Sequence, residues 1–505
     1  MRGWTGKALS IPTGYRKSKG KGLMGVNILA LEVSTSSAKA MIYSFEKGIR
    51  GVLSVPYKDT VNDVVSQDPE GIYQAVIECA RALIERENCE IDAIGLGSTW
   101  HSVLFLDRER KPIGRIKTWA STEAAPTAGR YRKDEQLKRW FYQRTGCMVH
   151  SIYPVWKYLH AKQQGQLDPE GYLSSQPEYV FERLTGQTGV SRSIASGTGF
   201  MNIHTLEWDQ EILDFAGLKV SQLAPLYELD HTAPLSQEAA SKLGLKAGIP
   251  VTLPGPDGAL NQVGAGAMGQ GIMTMSVGTS GALRVASPVP VLPDDPSTWC
   301  YYVAEGKRLA GAATSGAGNC VEWFGKKLNL GNVSYRALDE LASKVDIQDA
   351  PVFLPFLYGE RCPGWEDSRT GGFVGLKPHH EIGHLHYAIL EGILFNLYQC
   401  YVVLEQLMGA PREIKISGGI ENSRWWLQMA ADIFQREIYT SSVEHASTMG
   451  AIAVALKAIG VIKSLEEFNP SQGERIVPNE SMAKVYTKRF ERYMEWYYKT
   501  ANRGE

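Results

Sequence analysis

The sequence is poor in cysteine and has no pattern that would pair the few it carries. Seven cysteines are scattered over 505 residues, their number is odd, and none of them forms a C-x-x-C motif. This excludes a disulfide framework and offers no zinc-binding pattern. We therefore expect a reducing, cytoplasmic location.

The sequence also lacks an excess of charge of one sign and a long apolar run. The formal net charge is −1, so no broad basic surface favours nucleic acid or an anionic membrane as a partner. No uninterrupted apolar stretch is long enough to cross a bilayer, and the basic N-terminus lacks the apolar centre of a secretory signal. We expect residues 1–24 to be a flexible basic extension, and neither nucleic acid nor membrane to be a partner.

What the sequence does contain is a repeat. Residues 31–38 read LEVSTSSA and residues 275–282 read MSVGTSGA. In each copy an apolar run ends in a small, hydroxyl-rich turn and then resumes, which predicts a strand, a tight turn and a second strand. Small turn residues let backbone N–H groups approach an anion. The repeat favours two lobes that hold the phosphates of a nucleotide from opposite sides; the alternative is chance similarity between two hairpins.

Strand-like and helix-like segments alternate, which predicts an α/β fold, and the chain is too long for a single core. Strands are predicted at residues 26–31, 40–43, 94–96, 103–106, 273–277 and 413–417. Apolar residues recur at helical spacing in 69–86, and further helices are predicted at 257–263, 333–344, 385–407 and 423–434. Residues 119–253 form a long excursion rich in helices and aromatic residues. The boundary between the halves is expected within 264–271.

Residues 264–269 read GAGAMG and match the G-x-G-x-x-G pattern of dinucleotide-binding proteins. That pattern follows a strand and opens a helix, whereas here a predicted helix precedes it and a predicted strand follows. We therefore interpret these glycines as the end of a helix and a place of tight packing between lobes.

Asp257 follows a Pro-Gly-Pro turn at the predicted start of a helix. A carboxylate in this position can cap the helix, or it can accept a proton from a substrate hydroxyl at the mouth of a sheet. The residues alone leave both interpretations open.

Several segments, taken in order, resemble the FGGY carbohydrate kinases, which share the actin, hexokinase and Hsp70 type of fold. The resemblance runs from about residue 26 to about residue 456. The segments that carry it are PGPDGA at 254–259 with GAG at 264–266, SVGTSG at 276–281, FLPFLYGERCP at 353–363, GFVGL at 372–376, AILEGI at 388–393, SGGIENS at 417–423 and MGAIA at 449–453.

The resemblance implies an α/β protein with two ribonuclease-H-like lobes and ATP-dependent phosphorylation of a sugar or sugar acid in the cleft between them. It implies that Asp257 is the general base. The residues that would hold ATP are Thr35, Ser36, Ser37, Lys39, Gly278, Thr279, Gly418, Gly419 and Asn422. Those that would contact the sugar, together with Asp257, are Thr99, Trp100 and His101, although a structural role for His101 is the alternative. Mg²⁺ is expected with ATP, and Glu32 would be its ligand.

The chain departs from the family pattern at three places. Glu32 and Ser34 stand where the family has Asp and Gly in the first hairpin, which affects metal placement because Mg²⁺ tolerates little geometric error. Ser121 and Glu123 replace an acid and a base of the substrate motif, and Ser191 replaces a common Asp. We expect Glu123 to face the cleft and to help select the sugar.

These features predict a carbohydrate kinase, with gluconate favoured by the TGCMVHSIYP run at 145–154. Xylulose or another ketose is one alternative, and a catalytically weakened nucleotide-binding regulatory protein is another. The predicted domains are a sugar-binding lobe at 25–268, a nucleotide-binding lobe at 269–470 and a helical tail at 471–505. Assembly as a homodimer is left open.

Overall fold

The computed structural model describes residues 25–328, 333–441, 443, 445–470 and 472–501. The extension predicted for residues 1–24 lies outside the described residues. The described part is a mixed α/β structure in which two large sheets are separated along the chain, with one insertion of short helices and strands.

The strands of the first part of the chain are β1 (Asn27–Val33), β2 (Ser37–Ser44), β3 (Gly48–Pro56), β4 (Ser66–Gln67), β5 (Ala93–Ser98), β6 (Val103–Leu106), β7 (Pro112–Lys117), β8 (Tyr172–Ser174), β9 (Val190–Ser191), β10 (Leu226–Tyr227), β11 (Thr232–Pro234), β12 (Pro250–Thr252) and β13 (Gly255–Pro256). Its helices are α1 (Pro69–Glu87), α2 (Ala125–Arg132), α3 (Glu135–Thr145), α4 (Pro154–Gln163), α5 (Gln176–Thr185), α6 (Arg192–Ser196), α7 (Gln210–Ala216), α8 (Gln237–Leu243) and α9 (Asp257–Gly264).

The second part contains the strands β14 (Ile272–Val277), β15 (Gly281–Ser287), β16 (Trp299–Ala304), β17 (Lys307–Thr314), β18 (Val352–Leu354), β19 (Gly372–Val374), β20 (Glu413–Ser417), β21 (Ile438–Thr440) and β22 (Arg475–Ile476). Its helices are α10 (Gly318–Lys327), α11 (Tyr335–Ala342), α12 (Ile382–Met408), α13 (Arg424–Phe434), α14 (Ala446–Ala458) and α15 (Ala483–Lys499). Helix α11 is shorter than the predicted 333–344 because Ser334 caps it, accepting the Ala337 amide.

The two large sheets repeat one pairing pattern. The first has the order β11-β12-β5-β1-β2-β3, with β13 also on β5, and the second has the order β16-β17-β15-β14-β20-β21-β22. Strand β1 pairs antiparallel with β2 and parallel with β5, and β14 pairs in the same way with β15 and β20. This confirms the predicted duplicated hairpin, because each copy begins its sheet with the same strand, turn and strand.

Helices α9 and α14 cross closely near the connection between the two parts. A Cβ atom added at Gly264 would collide with the carbonyl oxygen of Ala446, and one added at Gly450 would collide with that of Leu260. Gly264 is also the last residue of α9. The interpretation of the GAGAMG run as a helix end with tight packing is therefore confirmed, while packing between lobes stays a prediction.

Helix α14 comes late in the chain but packs on the first sheet. A Cβ atom at Gly95 of β5 would collide with the carbonyl oxygen of Ala451 in α14, and the helix also contacts β1. The chain thus returns to its first part after most of the second sheet has formed and then adds β22 to that sheet. The predicted boundaries at 268 and 470 stay predictions, but α14 packs mainly on α9, β5 and β1 of the first part.

Helix α12 is by length and composition able to cross a membrane, although 83% of its most apolar window is buried inside the protein. It is a core helix of the second part. Helix α15 packs against it through a buried ion pair: Arg489 Nη2 lies 2.5 Å from Glu391 Oε2, and the same guanidinium donates to the carbonyls of Ala350 and Pro351.

Candidate active site

Asp257 begins α9 directly after the Pro-Gly-Pro turn. Its side chain is exposed to solvent, although protein atoms lie close around the carboxylate. Burial raises the pKa of Asp257 to about 6, against the opposing effect of the Arg284 guanidinium and of the Gly258 amide, which donates to Oδ1 at 2.7 Å. Such a carboxylate is ionised at neutral pH and is still basic enough to accept a proton.

Two guanidinium groups near Asp257 have no carboxylate partner among the described residues. Arg284 and Arg361 each lower the pKa of Asp257. Their Nε atoms are shut off from solvent and find no hydrogen-bond partner in the described part of the chain. A cation in such a place is costly without an anion. Sequence reasoning missed both, although Arg361 lies in the FLPFLYGERCP segment and Arg284 is three residues beyond the second turn.

Glu32, the predicted metal ligand, is buried close enough to Asp257 to raise its pKa. Lys39, its partner in the β1–β2 register, lies 3.3 Å from Oε2, and Ser447 and Thr448 at the start of α14 donate to the two carboxylate oxygens. The longer side chain that replaces the family's Asp therefore joins the first hairpin to α14. Glu32 balances the charge of Lys39 in this ion pair. The predicted contact of Lys39 with phosphate stays a prediction.

The first turn is closed by its own hydroxyls. Ser34 Oγ donates to the carbonyl of Ser37 at 2.8 Å and accepts the amide of Ser37. Thr35 Oγ1 accepts from the indole Nε1 of Trp119 at 2.9 Å, and Ser36 is exposed. The side chain added by Ser34 is thus used to hold the turn, and Trp119 of the excursion lies against it.

The second turn is joined to the N-terminus of α10. The Gly318 amide donates to the Gly278 carbonyl at 2.7 Å, and the Asn319 amide donates to the carbonyl of Thr279 at 3.1 Å. A Cβ atom added at Gly278 would meet only the Ser280 carbonyl, at 4.0 Å. The turn therefore presents free space at Gly278, beside a helix N-terminus that favours negative charge.

The glycines predicted on the adenosine side lie against the same turn. Gly418 has φ of +105°, and a Cβ there would lie 2.6 Å from the Val277 carbonyl oxygen, so only glycine fits. Gly419 and Asn422 line a cavity of about 710 Å³, and Asn422 Nδ2 donates to the Gly419 carbonyl at 3.1 Å. Other residues lining this cavity are Val277, Gly318, Tyr335, Asp339, His386 and Trp425.

Trp100 is enclosed beside Asp257. Cβ atoms added at Gly197 and Gly258 would both press on its indole ring, and its Nε1 donates to the Ser193 carbonyl at 3.0 Å. Trp100 also lies 4.9 Å from the ring of Tyr301, which stacks on Trp299. Three buried aromatic rings thus form a wall beside Asp257.

His101 adjoins this wall in a left-handed conformation, with φ of +67°. Its Nδ1 donates to the Gly197 carbonyl at 2.7 Å, and burial lowers the pKa of His101 to about 3. The ring is therefore neutral, with Nε2 as an acceptor. Lys157 supports the strained backbone by donating to the His101 carbonyl at 2.9 Å, and burial lowers the pKa of Lys157 to about 7.

Thr99 does not share this environment. Its hydroxyl donates to Gln176 Oε1 at 3.2 Å, and Gln176 in turn donates to Gln67. Gln67 Nε2 reaches the Thr35 carbonyl at 2.9 Å. The predicted sugar contact of Thr99 stays a prediction. Thr99 is the end of a chain of buried hydrogen bonds that leads through Gln176 and Gln67 to the first turn. Sequence reasoning missed this chain of hydrogen bonds.

Two of the departures now have structural explanations. Ser191 caps α6 and donates to the Pro254 carbonyl at 2.7 Å, in the turn before Asp257; an ionised Asp could not make that bond. Glu123 lies close enough to Lys157 to raise the pKa of that residue, and its predicted role in selecting the sugar stays a prediction. It pairs with Lys117 at 2.6 Å, and its side chain is 53% exposed.

Another group of potential metal ligands is Asp349, His379 and His380. Asp349 is already paired with Lys377 and His379. His380 Nδ1 accepts the Lys377 amide, so the proton of the neutral ring stays on Nε2, which bonds the Asp349 carbonyl. The nitrogen nearest to Asp349 is therefore occupied by a proton, and the cluster is explained by ion pairing.

The arrangement combines a basic carboxylate, two turns of small residues and a nucleoside-sized cavity, which is compatible with a phosphotransferase. Comparison with known proteins agrees. The family models for the N-terminal and C-terminal domains of the FGGY family of carbohydrate kinases match residues 27–264 and 273–459. The chain belongs to this family, and it is a carbohydrate kinase with the actin-like ATPase fold that uses ATP as phosphate donor.

Individual relatives include kinases for both a sugar acid and a ketose. A gluconokinase of Bacillus licheniformis is 30% identical over 483 residues, which cover 91% of this chain and 93% of that protein. A xylulose kinase of Bacillus subtilis (strain 168) is 27% identical over 456 residues, covering 87% and 90%. The crystal structure of a gluconate kinase from Lactobacillus acidophilus matches with a TM-score of 0.89 and 28% identity, covering 94% of this chain and 98% of that one.

Proposed function

We propose that this carbohydrate kinase transfers the γ-phosphate of ATP to a hydroxyl of gluconate. The observation that carries the proposal is Arg361, which lies close enough to lower the pKa values of Asp257, His101 and His150. Its Nε is shut off from solvent and has no hydrogen-bond partner among the described residues. A cation in this position suits an anionic acceptor better than a neutral ketose. The similarity to gluconokinases points the same way.

Asp257 is proposed to accept the proton of the attacking hydroxyl. The hydroxyl oxygen then bonds to the γ-phosphorus, the bond from that phosphorus to the bridging oxygen of ADP breaks, and the products are the phosphorylated acceptor and ADP. The turn at Gly278 and Thr279, with the N-terminus of α10, would hold the phosphates. The cavity beside Gly418, Gly419 and Asn422 would hold the adenosine.

When bound, Mg²⁺ would supply positive charge that offsets the charge of the phosphates. Glu32 fits this role as an outer ligand, because both of its oxygens already accept hydrogen bonds from Lys39, Ser447 and Thr448, and Mg²⁺ keeps several waters in kinase sites. A cytoplasmic location is supported by the seven cysteines, all of which carry free thiols.

The test is ADP release by the full chain with ATP and Mg²⁺ across a panel of gluconate, other sugar acids, xylulose, other ketoses and no acceptor. We expect the highest kcat/KM with gluconate. A higher value with xylulose would assign the chain to the ketose kinases, which the xylulose kinase relative makes the second candidate. ATP binding without any sugar-stimulated ADP release would instead favour the regulatory protein.

A further inference from the structure

Arg284 lies at the junction between the second phosphate turn and the general base. It is on β15, where its cross-strand partner is Thr274. Its Nη1 nevertheless donates to Ser276 Oγ, at 3.2 Å, and Ser276 is two residues closer to the turn than Thr274. The side chain therefore extends along the sheet toward the turn at Gly278.

The other side of Arg284 faces the start of α9. A Cβ atom added at Gly258 would lie 3.2 Å from Arg284 Nε and 2.7 Å from the ring of Trp100. Glycine at 258 thus leaves the space in which the guanidinium and the indole meet beside Asp257. Arg284 is also the charged group with the largest effect on the pKa of Asp257.

The guanidinium interacts with the Asp257 carboxylate at a distance, but no described carboxylate lies within hydrogen-bond distance of it. Its one side-chain hydrogen bond among the described residues is to a neutral hydroxyl, and its buried Nε has no partner in the described part of the chain. In a sugar kinase two incoming groups are anionic: the transferred phosphoryl group and, for a sugar acid, the carboxylate. During transfer, the phosphoryl group lies between the phosphate turn and the base. The carboxylate of a six-carbon sugar acid lies at the opposite end of its carbon chain from the terminal hydroxyl that reacts.

We propose that Arg284 is a catalytic residue that binds the transferred phosphoryl group. As the acceptor oxygen bonds to the γ-phosphorus and its proton passes to Asp257, the guanidinium donates to the equatorial phosphoryl oxygens while ADP departs. The same positive charge keeps Asp257 ionised before the transfer. The inference rests on the proposed kinase reaction but not on the identity of the acceptor.

The test compares Arg284→Gln and Arg284→Lys with the parent, using gluconate and whichever acceptor of the panel is used best. Arg284→Gln should lower kcat by roughly 10²-fold to 10³-fold, the usual effect of removing a donor to transition-state charge, while KM for the acceptor changes little. Arg284→Lys should recover part of the loss. The acid limb, which is the fall of kcat/KM at low pH, should have its midpoint at a higher pH in Arg284→Gln. The reason is that the Asp257 carboxylate has a higher pKa without its neighbouring cation. Arg81→Gln, at an exposed arginine of α1, is the matched control.

Two results would overturn the proposal. A selective rise of KM for gluconate with unchanged kcat would mean that Arg284 binds the carboxylate of the acceptor. An unchanged acid limb together with unchanged kcat would leave Arg284 a structural residue. If Arg284→Gln does not fold, as judged by its melting temperature, Arg284→Lys carries the same comparison. Failure of the proposed function is seen separately, as a parent protein with no sugar-stimulated ADP release.

Discussion

At the scale of single residues, Asp257 has a fixed position and a carboxylate that can accept a proton. The Pro-Gly-Pro turn and the start of α9 fix its backbone, and the Gly258 amide holds Oδ1. Replacement by Asn keeps the shape but removes the base. We expect Asp257→Asn to lower kcat by roughly 10²-fold to 10⁴-fold with ATP binding nearly unchanged, measured by ADP release and by nucleotide titration.

The matched control for that variant is Asp59→Asn, at an exposed aspartate before the first helix. Turnover of Asp257→Asn equal to that of the parent would remove Asp257 from the mechanism, whereas loss of ATP binding would give it a role in the nucleotide site.

The raised pKa of Asp257 also predicts how kcat/KM depends on pH. The base acts in its ionised form, which is lost as the pH falls through the pKa. We therefore expect kcat/KM for the acceptor to be level above about pH 7 and to fall tenfold per unit below a midpoint near pH 6. A midpoint near 4, the ordinary value for Asp, would show that the carboxylate is not desolvated in the active protein.

At the scale of elements, the second turn and α10 form one unit through the bonds of Gly278 and Thr279 to Gly318 and Asn319. A Cβ atom added at Gly278 meets no protein atom closer than 4.0 Å, so the variant should fold normally and its side chain should occupy the space proposed for phosphate. We expect Gly278→Val to weaken ATP binding by about 1–3 kcal/mol, roughly fivefold to 150-fold, with acceptor binding unchanged.

Isothermal titration with ATP and with the acceptor separates the two affinities. Gly129→Val in α2 is the control, because an added Cβ there also has nothing within 4 Å. Equal ATP affinity in Gly278→Val and parent would place the phosphates elsewhere.

Elements with a local sequence signal were predictable, and those that depend on distant partners were not. Helix α1 and the hairpin at β14 and β15 follow from apolar spacing and turn residues. Nothing local shows that α14 packs on β5, because that contact depends on the fit of Gly95 against Ala451. Likewise Asp257 was found from a local turn and a family motif. The role of Arg284 was not, because its significance lies in a missing partner that only the folded structure reveals.

At the scale of the whole molecule, side chains join the excursion of the first part to the second. His150 Nε2 lies 2.6 Å from Asp367 Oδ1, and Arg132 donates to the carbonyl of Trp365 at 2.6 Å. His150 also lowers the pKa of the neighbouring His101. It belongs to the run at 145–154 that favoured gluconate. These contacts join His150, which lies near the proposed acceptor site, to the second part of the chain.

We expect Asp367→Asn to raise KM for the acceptor by roughly twofold to fivefold, the equivalent of about 0.5–1 kcal/mol for a part-exposed charged contact, because His150 and Arg132 lose the negative charge of their shared partner. The value of kcat should change less. Steady-state kinetics measure both, and Asp294→Asn, an exposed aspartate of the second part, serves as control. A fall in kcat with constant KM would mean that the contact governs the chemical step instead.

The packing of α14 on the first sheet also has a consequence for how the protein is made. Strands β1 and β5 are among the first to leave the ribosome, but the helix that covers them is among the last. At bacterial or eukaryotic elongation rates, the interval between residues 98 and 446 lasts on the order of tens of seconds. During that time one face of the first sheet is without its cover, and its apolar side chains depend on chaperones or on the nascent chain itself for protection.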